Sequence, residues 1–159
     1  MAASDLVIET FVHGNEGAYS AMFEQEVANL ADRVVEHGHR LERQRLSLRY
    51  FVNLDVEHTQ LLQDPFMDDL SESLSAVGDT INDLNFTERM LRGGRERISE
   101  VAVVTELGLD FCLLVCNAMD ILLFDITYFQ GVIVHVRNTL QHMNCIVMSR
   151  ALMIRQIVD

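Results

Sequence analysis

Histidine and acidic side chains one helical turn apart are the residues of this chain that could bind a metal ion. The candidate ligands are Glu36 with His39, Asp55 with His58, and the pair His135 and His142, which are seven residues apart. Bundles that hold two metal ions use two Glu-x-x-His pairs and two further glutamates. Here the second pair has Asp in place of Glu, and nearby arginines would repel a cation. The pattern therefore favours solvated histidines, with a helical metal-binding protein as an alternative.

Arginines surround two adjacent glycines in residues 89–97. They are Arg89, Arg92, Arg95 and Arg97, on either side of Gly93-Gly94. A glycine pair predicts the end of a helix, and an arginine-lined turn before a helix N-terminus can hold an anion or an acidic segment. We expect either a partner contact through Arg89, Arg92 and Arg95, or an exposed turn that keeps the protein soluble. A P-loop is excluded because the chain has no Lys.

Nucleophilic catalysis has little support. The chain has no G-x-S-x-G motif, and its three cysteines, Cys112, Cys116 and Cys145, lie in apolar segments. An odd number of cysteines in such surroundings predicts reduced core thiols in a cytoplasmic compartment. We therefore expect a cytoplasmic protein that is not an enzyme and that needs no cofactor.

Apolar residues at alternating three- and four-residue steps predict the elements that position these side chains. One such stripe contains Met67, Leu70, Leu74, Val77, Ile81, Leu84 and Leu91, and only Glu88 interrupts it. A similar stripe runs from Phe23 to Phe51, with polar His37 and Gln44 on it, and another begins at Ile98. This spacing is typical of amphipathic helices and coiled coils. On a seam, His37 and Gln44 either fix the register or mark a bend.

The few helix-breaking residues predict the helix boundaries. We expect a short helix over residues 5–13, a long one from Asn15 to Asp64, and another from Pro65, at a first helical position, to Arg92. The long segments would either fold back near Gly38 and near Gly131 or Gly108, which is the favoured interpretation, or form a rod within an assembly. The chain is thus predicted to be one all-α domain, 1–159: a bundle of five to seven helices with a very hydrophobic C-terminal helical hairpin as its buried centre.

The charge pattern limits the partners. The net charge is −12, and all twelve basic residues are Arg. An acidic chain is a poor ligand for nucleic acid, and no apolar stretch is long enough to predict a membrane span. Arg-rich blocks alternate with acidic blocks, which predicts pairing between them within the fold or across subunits.

One segment resembles a known family motif. Leu74, Val77, Gly78, Asp79 and Ile81 are similar to the death-motif helix of the Bcl apoptosis regulators, although the chain has no Trp. The resemblance implies that apolar residues at 70 or 74, 77, 81 and 84 enter a groove on a partner. It further implies that Gly78 allows close approach and that Asp79 pairs with an arginine of the groove.

The favoured function is therefore association. We expect a helical protein–protein interaction or assembly subunit whose partner is another protein or a second copy of the chain. The expected contact residues are Met67, Leu70, Leu74, Val77, Gly78, Asp79, Ile81, Leu84, Arg89, Arg92 and Arg95. A Bcl-like apoptosis modulator, through segment 70–84, is the alternative from another class.

Overall fold

A computed structural model of the chain describes residues 18–53, 64–104 and 108–158, and these residues form three α-helices. Helix α1 spans Ala18–Asn53, α2 spans Asp64–Val104 and α3 spans Leu109–Val158. The predicted all-α class and helical bundle are confirmed. The short helix predicted over residues 5–13 lies outside the described residues.

The helix starts follow local sequence rules. Helix α2 begins at Asp64, directly before Pro65, as predicted. Proline suits this place because its missing N–H would have no intrahelical acceptor in the first turn. In α3 the first turn is closed by a bond from the Cys112 N–H to the Gly108 carbonyl, 3.1 Å long. Asp110 in the first turn and Arg155 in the last complement the helix dipole.

The prediction of five to seven helices is wrong for the described residues, because glycines expected to break helices lie inside them. Helix α1 continues through Gly38, α2 through Gly93-Gly94 and α3 through Gly131. The segment predicted to form a C-terminal helical hairpin is instead one continuous helix. A glycine inside a helix costs about 1 kcal/mol relative to alanine, which tertiary packing can outweigh. At Gly38 the packing is visible, since an added Cβ would lie 3.3 Å from Cζ of Phe129.

Contacts divide the chain into two compact units, and each takes a part of every helix. The first comprises Met1–His39 with Asp83–Gln130, and the second comprises Arg40–Asn82 with Gly131–Asp159. In the first unit α1 and α2 are antiparallel, because Glu26 pairs with Arg97 while His37 contacts Thr87. The prediction of a single domain remains a prediction.

Each unit has its own apolar core, built at heptad spacing from all three helices. In the first unit the fully buried large side chains are Phe23, Leu30, Leu84, Leu91, Ile98, Met119, Leu122 and Ile126. In the second unit they are Leu70, Ile133 and Leu140, and α1 adds the buried Leu41 and Phe51. Residues seven apart on one helix return to nearly the same side, which explains why the sequence stripes predict these positions.

Candidate functional site

The apolar stripe of α2 serves largely the protein's own fold. Leu70, Val77 and Leu84 are buried by the chain itself. The remaining expected contact residues of the stripe segment are half-buried (Met67, Leu74, Gly78 and Ile81) or exposed (Asp79). A death-motif helix inserts its apolar side chains into a groove on a partner. Here Leu70, Val77 and Leu84 would become accessible to a partner only if the packing of their own unit were disrupted. The Bcl-like alternative therefore gains no support from the positions that carry its resemblance.

Small and polar residues of α2 are buried more deeply than part of the stripe. Thr80, Thr87 and Gly94 recur every seven residues and are all buried, whereas Leu74 and Ile81 are half-buried. Hydrophobic spacing does not predict this small-residue column, because none of its members is a large apolar residue. The signal was available, since the column keeps the same seven-residue spacing as the polar positions His37 and Gln44 of α1.

Two buried or half-buried hydrogen bonds join α1 to this column, one in each unit. The Thr87 hydroxyl donates to the Asp83 carbonyl at 3.0 Å, so it must accept from Nε2 of His37, 2.8 Å away. In the second unit Nε2 of Gln44 donates to the Thr80 hydroxyl at 2.7 Å. Since α1 is continuous through Gly38, the alternative in which the helix breaks there is wrong. Directional bonds of this kind favour one register of two helices over its neighbours.

The arginines of residues 89–97 lie along a helix rather than around a turn, so the predicted turn is wrong. Its supposed helix N-terminus, the source of anion-binding N–H groups, does not exist there. The arginines have acidic neighbours instead. Arg92 donates to Glu88 at 3.1 Å, Arg95 Nε lies 2.9 Å from Asp120 Oδ1 on α3, and Arg97 pairs with Glu26 on α1. The predicted pairing of Arg-rich with acidic blocks is thus seen within the first unit. Arg89 is exposed.

Gly94 explains how α2 approaches its neighbours at this point. A Cβ on Gly94 would lie 3.0 Å from Cε of Met119 and 3.3 Å from Oε1 of Glu26. A Cβ on the adjacent Gly93 would meet nothing within 4 Å. The glycine pair therefore provides one position of close helix packing and one position without any packing requirement.

A polar network joins α2 and α3 at the position that interrupts the stripe. Nε2 of Gln130 donates to Glu88 Oε2 at 2.9 Å and to Asn85 Oδ1 at 3.1 Å. The hydrogen bonds from Gln130 and Arg92 lower the pKa of Glu88 below its ordinary value, against a smaller opposing effect of burial. Glu88 therefore remains ionised at neutral pH and accepts hydrogen bonds from Arg92 of its own helix and from Gln130 of α3.

The metal-binding alternative has no assembled site among the described residues, where no three His, Cys, Asp or Glu side chains come together. Glu36, His39, His135 and His142 are exposed, and the pair at residues 55 and 58 lies outside the described residues. A groove of about 370 Å³ lies in the second unit between Tyr50 on α1 and the Asp69 to Ala76 segment of α2. It is open, and two serines and two carboxylates line it with no cysteine or histidine among them.

The cysteines do not all lie in the core. Cys112 is buried and Cys116 is half-buried, whereas Cys145 is exposed, so the prediction of three core thiols is wrong for Cys145. Burial, with a smaller contribution from Cys116, raises the pKa of the Cys112 thiol. All three are free thiols. The thiol that is open to reagents is thus Cys145, in the C-terminal part of α3.

Helix α3 is the exposed apolar element, contrary to the prediction that it forms the buried centre. Of thirteen exposed large hydrophobic side chains among the described residues, nine lie on α3. We call the four of them in the first unit the outward face of α3: Leu109, Leu113, Phe124 and Tyr128. The other five lie in the second unit: Val134, Met148, Leu152, Met153 and Ile157. Helical geometry places these four on the side of α3 away from the buried residues of the first unit. Ile157, by contrast, keeps the seven-residue register of the buried Val115, Leu122 and Val136.

Comparison with known proteins does not assign this surface. The chain matches no protein-family model, and no curated protein or solved structure is significantly similar to it. None of the described helices is long and apolar enough to cross a membrane.

Proposed function

We propose that this protein is a non-enzymatic assembly subunit that associates with protein through the outward face of α3. The observation that carries the proposal is the concentration of exposed apolar side chains on this one helix. A monomer that stays in water rarely exposes a large contiguous apolar patch, and such patches are typical of contact surfaces. The expected contact surface thus lies on α3 rather than on the apolar stripe of α2, because the chain itself buries Leu70, Val77, Leu84 and Leu91 of that stripe.

Two aromatic side chains are the expected centre of the contact in the first unit. Phe124 is 75% exposed and Tyr128, one helical turn later, is 60% exposed. Burying a large apolar side chain contributes about 1.5–3 kcal/mol, and aromatic anchors commonly dominate binding energies. The two together therefore supply enough free energy to change an association constant by several orders of magnitude.

The test compares a charge placed on this surface with the same charge placed elsewhere. Phe124→Asp introduces a carboxylate at the proposed centre. Leu46→Asp is the matched control, because Leu46 is 53% exposed on α1 and lies outside the outward face of α3. Both variants keep the buried core intact, so both are expected to fold, which circular dichroism checks.

The readout is the size of the native assembly in extracts of cells that make the protein. We expect the unaltered chain and Leu46→Asp to migrate as a complex larger than one chain, and Phe124→Asp to migrate as a single chain. Equal migration of all three proteins as a complex would place the contact elsewhere, and migration of the unaltered protein as one chain would contradict association altogether.

A further inference from the structure

Two side chains that can bind a metal ion lie one helical turn apart on α3, in the second unit. His142 and Cys145 are both exposed, and neither has a hydrogen-bond or ion-pair partner among the residues that the structure describes. Residues three apart on a helix have Cβ atoms about 5–6 Å apart, so one ion can bind both side chains. An imidazole and a thiolate together favour Zn²⁺ over the hard ions Mg²⁺ and Ca²⁺.

The pair faces away from the core of the second unit. In this unit α3 contributes Ile133, Leu140 and Val147 to the core, and all three are buried. A rotation of about 100° per residue places His142 and Cys145 on the opposite side of the helix from these three. Both ligands are therefore accessible to an ion and to a partner without any change in the packing of the unit.

The arginines of α3 do not stand on the side that carries the pair. In the second unit they are Arg137, Arg150 and Arg155. Each lies roughly 110° around the helix from the midpoint of the pair. The repulsion of a cation that the neighbouring arginines predict for the candidate at His39 therefore does not apply to this pair.

One chain supplies only half of a zinc site. No three His, Cys, Asp or Glu side chains come together among the described residues, whereas structural zinc takes four ligands in a tetrahedron. Exposed apolar side chains flank the pair within roughly 50° on the same side of the helix, and they are Val134, Leu152 and Met153. Packing this side against the same side of a second copy buries them and brings two His–Cys pairs to one two-fold axis.

We propose that His142 and Cys145 bind Zn²⁺ together with the same two residues of a second copy, in a tetrahedral site of two imidazoles and two thiolates. Each thiol gives its proton to solvent, so binding releases two protons per ion and the ion with its two thiolates is neutral. The contact is confined to the second unit and uses no residue of the outward face of α3. It is therefore a site separate from the one that the proposed function uses.

The test measures metal binding and dimerisation of the purified protein, kept reduced and first stripped of metal with EDTA. Sedimentation equilibrium with and without Zn²⁺ gives the dissociation constant of the dimer. Titration with Co²⁺ reports the ligands, because tetrahedral thiolate-bound Co²⁺ absorbs visible light far more strongly than the hydrated ion. The variants are His142→Ala and Cys145→Ser, and His135→Ala is the matched control, since it removes another exposed imidazole of α3. All three positions are exposed, so circular dichroism should show unchanged helix content.

We expect one Zn²⁺ to bind per two chains and to tighten dimerisation at least about tenfold, both in the unaltered protein and in His135→Ala. His142→Ala and Cys145→Ser should each weaken this zinc-dependent dimerisation at least about tenfold, because even residues that only support a metal ligand cost about 10–100-fold in affinity. A protein that binds no zinc, one that binds one ion per chain without dimerising, or a Co²⁺ spectrum unchanged by Cys145→Ser would each overturn the inference. A dimer that resists EDTA and is broken only by a reductant would be a disulfide and would overturn it as well.

The result is separable from that of the Phe124→Asp test. With EDTA in the cell extracts the zinc contact is removed, and migration then depends on the outward face of α3 alone. A protein without zinc-dependent dimerisation whose Phe124-dependent complex persists would exclude the metal site and leave the proposed function standing. Zinc-dependent dimers together with an unaltered chain that migrates singly in EDTA extracts would do the reverse.

Discussion

Replacing Gly93 by alanine tests whether α2 continues through the glycine pair. The backbone there is helical and has no left-handed φ, and an added Cβ meets nothing within 4 Å. Alanine then removes the helix penalty of glycine without creating a clash, which is worth about 1 kcal/mol of unfolding free energy. For a chain of this size that corresponds to a rise in melting temperature of about 2–4 °C.

Gly94→Ala is the matched control, one residue away. It gains the same helix propensity, but its Cβ would lie 3.0 Å from the terminal methyl of Met119 and 3.3 Å from Oε1 of Glu26. Because Met119 is fully buried, its methyl group can move only by repacking the core. Overpacking a core costs about 1–3 kcal/mol. We therefore expect Gly94→Ala to be at least about 1 kcal/mol less stable than Gly93→Ala.

Urea unfolding followed by circular dichroism at 222 nm measures both differences. The two variants should share one m-value, which would show that the surface exposed on unfolding is unchanged. If the glycine pair instead formed a turn with left-handed backbone, Gly93→Ala would lose about 1–2 kcal/mol. A destabilised Gly93→Ala variant would thus refute the continuous helix.

Three other predictions follow from single contacts. Thr87→Val leaves the imidazole N–H of His37 without its acceptor and should lower the unfolding free energy by about 1–3 kcal/mol in urea titrations. Thr127→Val removes only a bond within its own helix and should change the unfolding free energy by less than about 0.5 kcal/mol. Equal losses in the two variants would contradict the interhelical bond. Folding lowers the pKa of Glu88, so its ionised carboxylate stabilises the fold fully above the unfolded pKa of about 4.3. This stabilisation is lost as the pH falls through the lower folded pKa, and the difference in unfolding free energy between the unaltered protein and Glu88→Gln should shrink there. A constant difference between pH 7 and pH 3 would contradict the prediction. Iodoacetamide should modify Cys145 well before Cys112 in peptide mapping of the native protein, because Cys112 is buried and its pKa is raised; the reverse order would contradict these positions.

The sequence predicts the helical class and one helix start well because both depend on local rules. Alternating three- and four-residue spacing placed Leu70, Val77 and Leu84 on one apolar side of a helix, and Pro65 marked the start of α2. The spacing did not tell that the chain itself buries these three side chains, which were expected to contact a partner. The helix number was wrong because a glycine lowers helix propensity by only about 1 kcal/mol, and the packing that compensates, such as Phe129 against Gly38, involves another helix.

The candidate surface was harder to predict, since hydrophobicity alone does not tell which apolar side chains a neighbouring helix covers. The segment after Ile98 is apolar on every side, which suggested a buried hairpin. A continuous α3 has only one buried side, and Phe124 and Tyr128 remain exposed. Conversely, Thr80 and Thr87 can be buried because each hydroxyl accepts a hydrogen bond from α1 and donates one to the carbonyl four residues earlier in α2.

Site-specific photo-crosslinking tests most directly whether the outward face of α3 contacts protein. A benzoylphenylalanine would replace Tyr128 on that face or, as control, Tyr50 on α1, whose exposure of 58% nearly equals the 60% of Tyr128. After irradiation of cells that make the protein, we predict a covalent protein adduct from position 128 and none from position 50. Adducts from position 50 alone, or from neither position, would contradict the assignment of α3 as the contact surface.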